Sequence, residues 1–434
     1  MRTDIVHIGA GELTYEIRNI VNVGMKLQKL GLSTNWENIG DPISKGEKIP
    51  LWMKQIVSDA VMQDATYGYC PTRGVLSTRE FIAAETNKLG GAQITPEDIL
   101  FFNGLGDAIS KIFGFLKRTA RVLVPTPSYT THSSAEAAHA GDKPLTYILD
   151  PNHHWYPDLN DLEKSIKYNP AVAGILIINP DNPTGAVYPT HILESIVELA
   201  SRYNLFIICD EVYHNIVYNG TSTSPLSAVI GDVPAIAMRG ISKEMPWPGS
   251  RCGWIEVYNG DKDPMFAKYI SSILNAKMVE VCSTTLPQVV FPTVIQHPQY
   301  QEYLNERIAR YEKFSNIAYD CLKDLKGVLV NRPNGAFYMS VCFEEGALTH
   351  NQSLSIENNE VRELVEQLVS PEGTSVDKRF VYYLLGATGV CVVPLTSFAT
   401  ELQGFRVTLL ERDEDVFRKV FNTIAVSIKQ YLNS

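Results

Sequence analysis

Between Ile99 and Tyr258 the chain returns seven times to a short apolar run, separated by helix-like stretches. The runs are DILFFNG (98–104), RVLVPTP (121–127), KPLTYIL (143–149), AVAGILIINP (171–180), LFIICDEVY (205–213), AIAMRGIS (235–242) and CGWIEVYN (252–259). Several are continuously apolar rather than alternating, the pattern of strands buried on both faces of a mostly parallel sheet. In the interval 191–203, Ile192, Ile196, Val197 and Leu199 share one helical face, with Glu194, Glu198 and Arg202 mostly elsewhere. Strand and helix in alternation define an α/β fold. Sheets of this kind place their ligands at the C-terminal ends of the strands.

The flanks read differently. Residues 11–31 have the pattern of one amphipathic helix ending at Gly31, and 298–326 that of a long helix. The latter is followed by VLVNRPNGAFYMSVCF and later by GVCVVP and GFRVTLL. The expected organisation is a large domain over 50–300 and a smaller α+β domain from both chain ends, residues 1–49 and 301–434. Residues 344–378 are polar and read as an excursion with one short helix, 359–369. The acidic run ERDED (411–415) suits the opening of the last helix, because acidic residues favour a helix N-terminus.

Composition narrows the functional classes. Of 434 residues, 45% are hydrophobic and 20% charged, which excludes wholesale disorder. The net charge of −10 argues against nucleic acid or an anionic membrane surface as the main partner. Seven cysteines lie far apart with no CxxC pair, as expected of buried thiols in a reducing, cytoplasmic compartment. No stretch approaches the ~18 apolar residues of a membrane span. His153-His154 has no HExxH helix around it, so no metal site is expected.

Chemistry-bearing residues gather where the apolar runs end. Ser242-Lys243 follows AIAMRGI, with Arg251 in PGSRCGW just beyond. A lysine at the end of a buried strand is costly unless its charge is used, since desolvation disfavours the ammonium form. A neutral amine is what a Schiff-base nucleophile requires. Asp210 ends LFIICD, Asn182 lies in NPDNPTG after ILII, and NGLGDAI follows ILFF. Each has a plain structural reading alone, such as a helix cap or a turn. Together, in this order at the strand ends of one sheet, they form a constellation.

With these motifs the sequence resembles the pyridoxal-phosphate (PLP) enzymes of fold type I, specifically the class I/II aminotransferases, from IGDP at 39–42 to GFRVTLL at 404–410. The resemblance implies a seven-stranded, mostly parallel sheet between helices. It also implies an amino group moved from an L-amino acid to a 2-oxo acid by a ping-pong route, through a Lys–PLP aldimine and pyridoxamine phosphate. Lys243 matches the aldimine lysine, and Asp210 the carboxylate that keeps the pyridine nitrogen protonated. Tyr213 and Asn182 match donors to the ring's 3-oxygen, and Tyr129 the stacked aromatic residue. Gly104, Leu105 and Gly106 match the phosphate cradle leading into a helix N-terminus, where unpaired amides favour an anion. Ser242 and Arg251 match its other ligands. Arg406 matches the arginine that takes the substrate's α-carboxylate in bidentate geometry, and Gly40 a backbone contact to the same group. Tyr69, in YGYCPTRG, matches a tyrosine that reaches the phosphate of a neighbouring subunit, which implies a homodimer with shared sites.

Two departures stand out. Gly240-Ile241-Ser242-Lys243 replaces the frequent Ser-x-Ser-Lys, so one phosphate hydroxyl is missing. Pro333-Asn334-Gly335-Ala336-Phe337-Tyr338 replaces Pro-x-Gly-Gly-Phe-Tyr. The same constellation also serves β-eliminating C–S lyases and related α-carbanion enzymes, and in a distant second class a PLP-binding regulatory protein. The branch resembles alanine aminotransferases, with aspartate and aromatic enzymes close. Arg73 and Arg18 are the candidates for binding a distal carboxylate.

Overall fold

The computed structural model describes residues 5–13 and 16–434. In chain order its strands are β1 Asn35–Trp36, β2 Ile99–Phe102, β3 Arg121–Thr126, β4 Thr146–Asp150, β5 Tyr156–Pro157, β6 Val172–Ile178 and β7 Phe206–Asp210. They continue with β8 Ala235–Gly240, β9 Gly253–Tyr258, β10 Val328–Val330, β11 Tyr338–Phe343, β12 Val390–Cys391, β13 Val393–Pro394 and β14 Gly404–Thr408. The large sheet has the order β2-β9-β8-β7-β6-β3-β4-β5. Strands β4, β3, β6, β7 and β8 pair in parallel, and β9 runs antiparallel to both β2 and β8. All seven expected runs are strands. The eighth, β5, is two residues long, too short to carry a pattern of its own, and pairs antiparallel with β4.

The apolar runs are continuous because the sheet is covered twice. Ile175 and Ile177 of β6 belong to one core and Leu176 and Ile178 to the other; Ile207 and Ile208 of β7 divide likewise. The helix Thr190–Arg202 packs on the first face through Leu193, Ile196, Val197, Leu199 and Ala200. Its buried stripe is centred on Leu193, with Ile192 at the margin. A third core joins the four-stranded sheet β10-β11-β14-β13 to the helices Tyr300–Leu322, Val376–Thr388 and Glu414–Leu432.

The N-terminal helix is shorter than expected. It spans Glu16–Lys29, and Ala10–Glu12 is a separate 3-10 turn; Thr14 and Tyr15 lie outside the described residues. Gly9 sits so close to the helix Thr130–Ala140 that a Cβ there would stand 1.9 Å from the Ala138 carbonyl oxygen. The long helix runs Tyr300–Leu322, within the expected 298–326. The 344–378 segment is no free excursion. It buries Gln352, Leu354 and Ile356, contains the helix Asn359–Val369 capped by Asn358, and gives the first turn of Val376–Thr388. Asp413 of the ERDED run caps Glu414–Leu432 by accepting from the amides of Asp415 and Val416.

Candidate active site

A cavity of about 350 Å³ opens at the C-terminal edge of the large sheet, where the small sheet faces it. Asp210 is the last residue of β7, and Ser242-Lys243 follow β8 directly. Leu105 and Gly106 follow β2, Tyr129 follows β3, and Asn182 follows β6. From the opposite side come Gly40, Tyr338 of β11 and Arg406 of β14. Eleven of the expected positions thus line one space: Gly40, Leu105, Gly106, Tyr129, Asn182, Asp210, Tyr213, Ser242, Lys243, Arg251 and Arg406. They come from segments up to hundreds of residues apart, joined only by the sheet topology.

Asp210 is buried. Its Oδ2 stands 2.9 Å from Nε2 of His132, whose ring is fully enclosed, and its Oδ1 accepts from the Val212 amide at 3.1 Å. His132 Nδ1 is buried without a partner among the described residues. The Lys243 Nζ donates to the Gly40 carbonyl oxygen at 2.8 Å and lies above the rings of Phe337 and Tyr213. Tyr213 donates to the Tyr338 hydroxyl at 3.2 Å, and its complete burial, with Tyr338 next to it, pushes the phenol well above its ordinary pKa.

Arg406 is 2% exposed and lies between two aromatic faces, with its guanidinium 4.6 Å from the Tyr338 centroid and 4.9 Å from that of Phe398. Its Nη1 donates to Asn182 Oδ1 at 3.2 Å and its Nη2 to the Asn38 carbonyl oxygen at 2.7 Å. Planar stacking and two fixed acceptors aim the fork. Gly104 does not line the cavity, yet it shapes it. With φ +83 it caps the helix Leu105–Gly114, and a Cβ there would meet Arg251 Nη2 at 2.4 Å. Arg251 is itself left-handed, φ 53. Behind Asn182, burial pushes the Asp181 carboxyl up to about 7 despite the hydroxyl and amide of Thr184.

Three arginine and tyrosine candidates lie elsewhere. Tyr69 is 86% exposed and is not part of this chain's cavity wall. Its loop is tied to 283–285 by the Thr285 hydroxyl on Gly68 O and the Cys70 thiol on Ser283 O. Arg73 pairs with Glu97 through Nε at 3.1 Å, and Arg18 does not line the cavity. Sequence reading missed His132, Tyr338 and Asn38. His132 lies three residues after Tyr129, one helical turn away, which is the signal that would have found it. Tyr338 closes the Pro333–Tyr338 element.

A lysine and a histidine-backed aspartate at the strand ends of the large sheet face, across one cavity, an arginine clamped in the middle of β14 of the small sheet, on a fold type I scaffold. The profile "Aminotransferase class I and II" matches residues 32–423. An uncharacterized aminotransferase of Methanocaldococcus jannaschii is 59% identical over 434 residues, covering all of both chains. The glutamate-pyruvate aminotransferase AlaA of Escherichia coli is 32% identical over 330 residues, 75% of this chain and 79% of its own. The solved structure of an alanine aminotransferase from Pyrococcus furiosus superposes with a TM-score of 0.84 at 26% identity, over 99% of this chain and 100% of its own. The chain belongs to the class I and II aminotransferases and is a transaminase. The family is generally PLP-dependent.

Proposed function

We propose that the chain is a PLP-dependent transaminase that passes the amino group of an L-amino acid to a 2-oxo acid in two half-reactions, with alanine, glutamate and their oxo acids as the first substrate class. One observation carries the reading: Lys243, Asp210 and Arg406 converge on one cavity, each held by buried neighbours. The names of the relatives support the substrate class.

The residues fit PLP. Gly104 leaves room for Arg251 where a side chain would collide, and no atom lies within 4 Å of a Cβ built on Gly106. Leu105 and Gly106 open a helix whose N-terminal amides suit an anion, with Ser242 and Arg251 beside them. Tyr129, Asn182 and Tyr213 stand where they can flank the ring and meet its 3-oxygen. When bound, PLP supplies a carbonyl that takes up the amine and a ring that withdraws electrons.

The chain's own groups do the rest. Asp210, screened from water and oriented by His132, holds a proton on the ring nitrogen. Arg406 takes the α-carboxylate, and Asn182 and the Asn38 carbonyl keep its fork aimed. Lys243, with its Nζ at Gly40 O, is placed to carry the proton to and from the substrate's α-carbon. The test is release of pyruvate from L-alanine by the PLP-loaded enzyme with no 2-oxo acid present. One equivalent per site, then arrest until 2-oxoglutarate is added, is the expected result. Continuous release of pyruvate and ammonia from cystathionine, with homocysteine as the leaving thiol and no such arrest, would instead mean β-elimination.

The working unit we infer is a homodimer in the cytoplasm. Tyr69 completing the partner's phosphate site fits its exposure and its attachment to 283–285, next to Asn103 of the cradle loop. Seven free cysteines fit a reducing compartment, and among the described residues no helix is long and apolar enough to cross a membrane. Division into residues 50–300 and the two chain ends is supported by the two main sheets falling on either side, β2–β9 and β10–β14. The small-sheet core also recruits Val212, Tyr213, Ile216 and Tyr218 from the loop after β7.

A further inference from the structure

A second cavity, of about 420 Å³, shares its walls with the first. After β7, Asp210, Val212 and Tyr213 face the catalytic cavity, while Glu211, His214 and Asn215 face the second. After β8, Ser242 and Lys243 face the first, while Ile241, Glu244 and Met245 face the second. The far side is closed by the helices Leu76–Lys88, Thr285–Ile295 and Tyr300–Leu322. None of the reaction chemistry uses this space.

Its lining has two independent features. The first is an aromatic wall. Phe291 lies 5.0 Å from Trp254 and 6.0 Å from Phe81, centroid to centroid. The second is an excess of negative charge. Arg239 is shared between Glu211, at 2.8 Å, and Glu256, at 3.5 Å, so one guanidinium faces two buried carboxylates. Glu244 is held only by neutral donors, the amide and side chain of Asn215 at 2.7 and 2.9 Å, with no cation within 4 Å among the described residues. His214, also in the lining, does not offset this. Burial lowers its pKa, and its Nδ1 is buried without a partner among the described residues.

We propose that this cavity is a second binding site, for a small organic cation with an aromatic or branched apolar body. The cation meets the Glu244 carboxylate and the faces of Trp254 and Phe291, and the body fills the space between the three helices. Cations are drawn to aromatic faces and to carboxylates. A neutral or anionic ligand of the same shape lacks both attractions. Occupancy is communicated to Lys243, because the peptide units of 241–245 wall both cavities.

The probe is trimethyl(2-phenylethyl)ammonium, which has no N–H and cannot serve as an amino donor, titrated calorimetrically into the PLP-loaded enzyme. The neutral alcohol 4-phenylbutan-2-ol is the matched control. One ammonium ion should bind per chain, the alcohol about tenfold more weakly, and saturation should shift the absorption of the bound cofactor. Glu244→Gln, an isosteric change, should weaken the ammonium about fivefold or more, and Phe291→Leu should weaken it similarly. Equal binding of alcohol and ammonium, or binding untouched by both variants, overturns the site. So does binding lost in Asp210→Asn but kept in Glu244→Gln, which would place the ion in the catalytic cavity. An unchanged spectrum at saturation overturns the coupling to Lys243. The heats do not depend on the proposed reaction, so failure of the transamination reading would leave them intact.

Discussion

Asp210, Tyr213, Ser242 and Lys243 stand on or just past strands whose hydrogen-bonded register sets their positions, with Asp210 opposite Met238 and Ile178. Facing them, Asn38, Ile39, Gly40 and Asp41 lie on a strap between β1 and the helix Leu51–Val61 that has no regular structure of its own. Salt bridges hold that strap. Buried Glu37 pairs with Lys45 at 2.8 Å, and Glu47 with Arg310 and, at 2.9 Å, with Arg412. Arg307 links the two sides. Its Nη2 donates to the Lys243 carbonyl oxygen at 2.9 Å, and its Nε lies 3.9 Å from Glu47. The contrast teaches that the groups proposed for covalent and proton chemistry ride on paired strand ends, where misplacement by an ångström is costly. The groups proposed to meet the substrate's carboxylate come instead from this strap, at Gly40, and from Arg406 in the middle of β14 of the small sheet.

Variants at the strand ends of the large sheet are expected to act on turnover, and variants at Arg406 or on the strap on substrate affinity. Lys243→Ala should lower kcat by about 10⁴-fold or more, the upper range for losing a positioned proton carrier. Single-turnover kinetics with L-alanine reads this, and retention of a tenth of the wild-type rate breaks the assignment. Asp210→Asn keeps the shape of the site and its approach to His132 but removes the charge. A loss of about 10²–10³ in kcat with KM little changed is expected. A change confined to KM would move Asp210 to the binding side of the comparison.

Arg406→Lys should raise KM about 10- to 100-fold with a smaller change in kcat, since an ammonium cannot reproduce the two-pronged contact. Steady-state kinetics with L-alanine and L-glutamate separates the two constants. Glu47→Gln is milder. It leaves the strap tied at Glu37–Lys45, so KM should rise about threefold, with a stability loss of roughly 1–3 kcal/mol from the arginines left without their carboxylate. An effect on kcat larger than on KM would show that the strap and the sheet are not separable.

The smallest effect on rate should come from Asp181, whose signature is in stability. Its pKa, about 7 in the folded protein, lies above the ordinary value of 3.8. Above the unfolded pKa the unfolded chain gives up the proton while the folded chain keeps it. Stability therefore falls as pH rises from about 4 to about 7 and levels off beyond, by a few kcal/mol at most. Asp181→Asn should flatten that slope in denaturant unfolding measured across the window. An unchanged slope would mean that other groups carry it.

Much of this molecule is legible in the amino-acid order. The double-sided sheet announces itself in runs such as ILFF and GILII, because a strand covered on both faces has no reason to alternate. Lys243, Asp210 and Asn182 are readable because each interrupts such a run with a group that is expensive to bury. His132 carries no such mark. Its value lies in meeting Asp210, 78 residues away, at 2.9 Å, a contact made by pairing β3 beside β6 and β6 beside β7. Tyr69, which the resemblance assigns to a neighbouring subunit's phosphate site, stands on the surface of this chain.

The sequence by itself determined the layer architecture, the positions of the strand ends and the identity of the charged groups placed there, because apolar periodicity and the cost of buried charge act locally. Only the tertiary structure decided which strand ends adjoin, that Arg406 is gripped between Tyr338 and Phe398, that Arg73 is spent on Glu97, and that a second cavity backs the Lys243 loop. Those are matters of distance between segments far apart in the chain. Strand order and helix packing set them, and no local pattern encodes either.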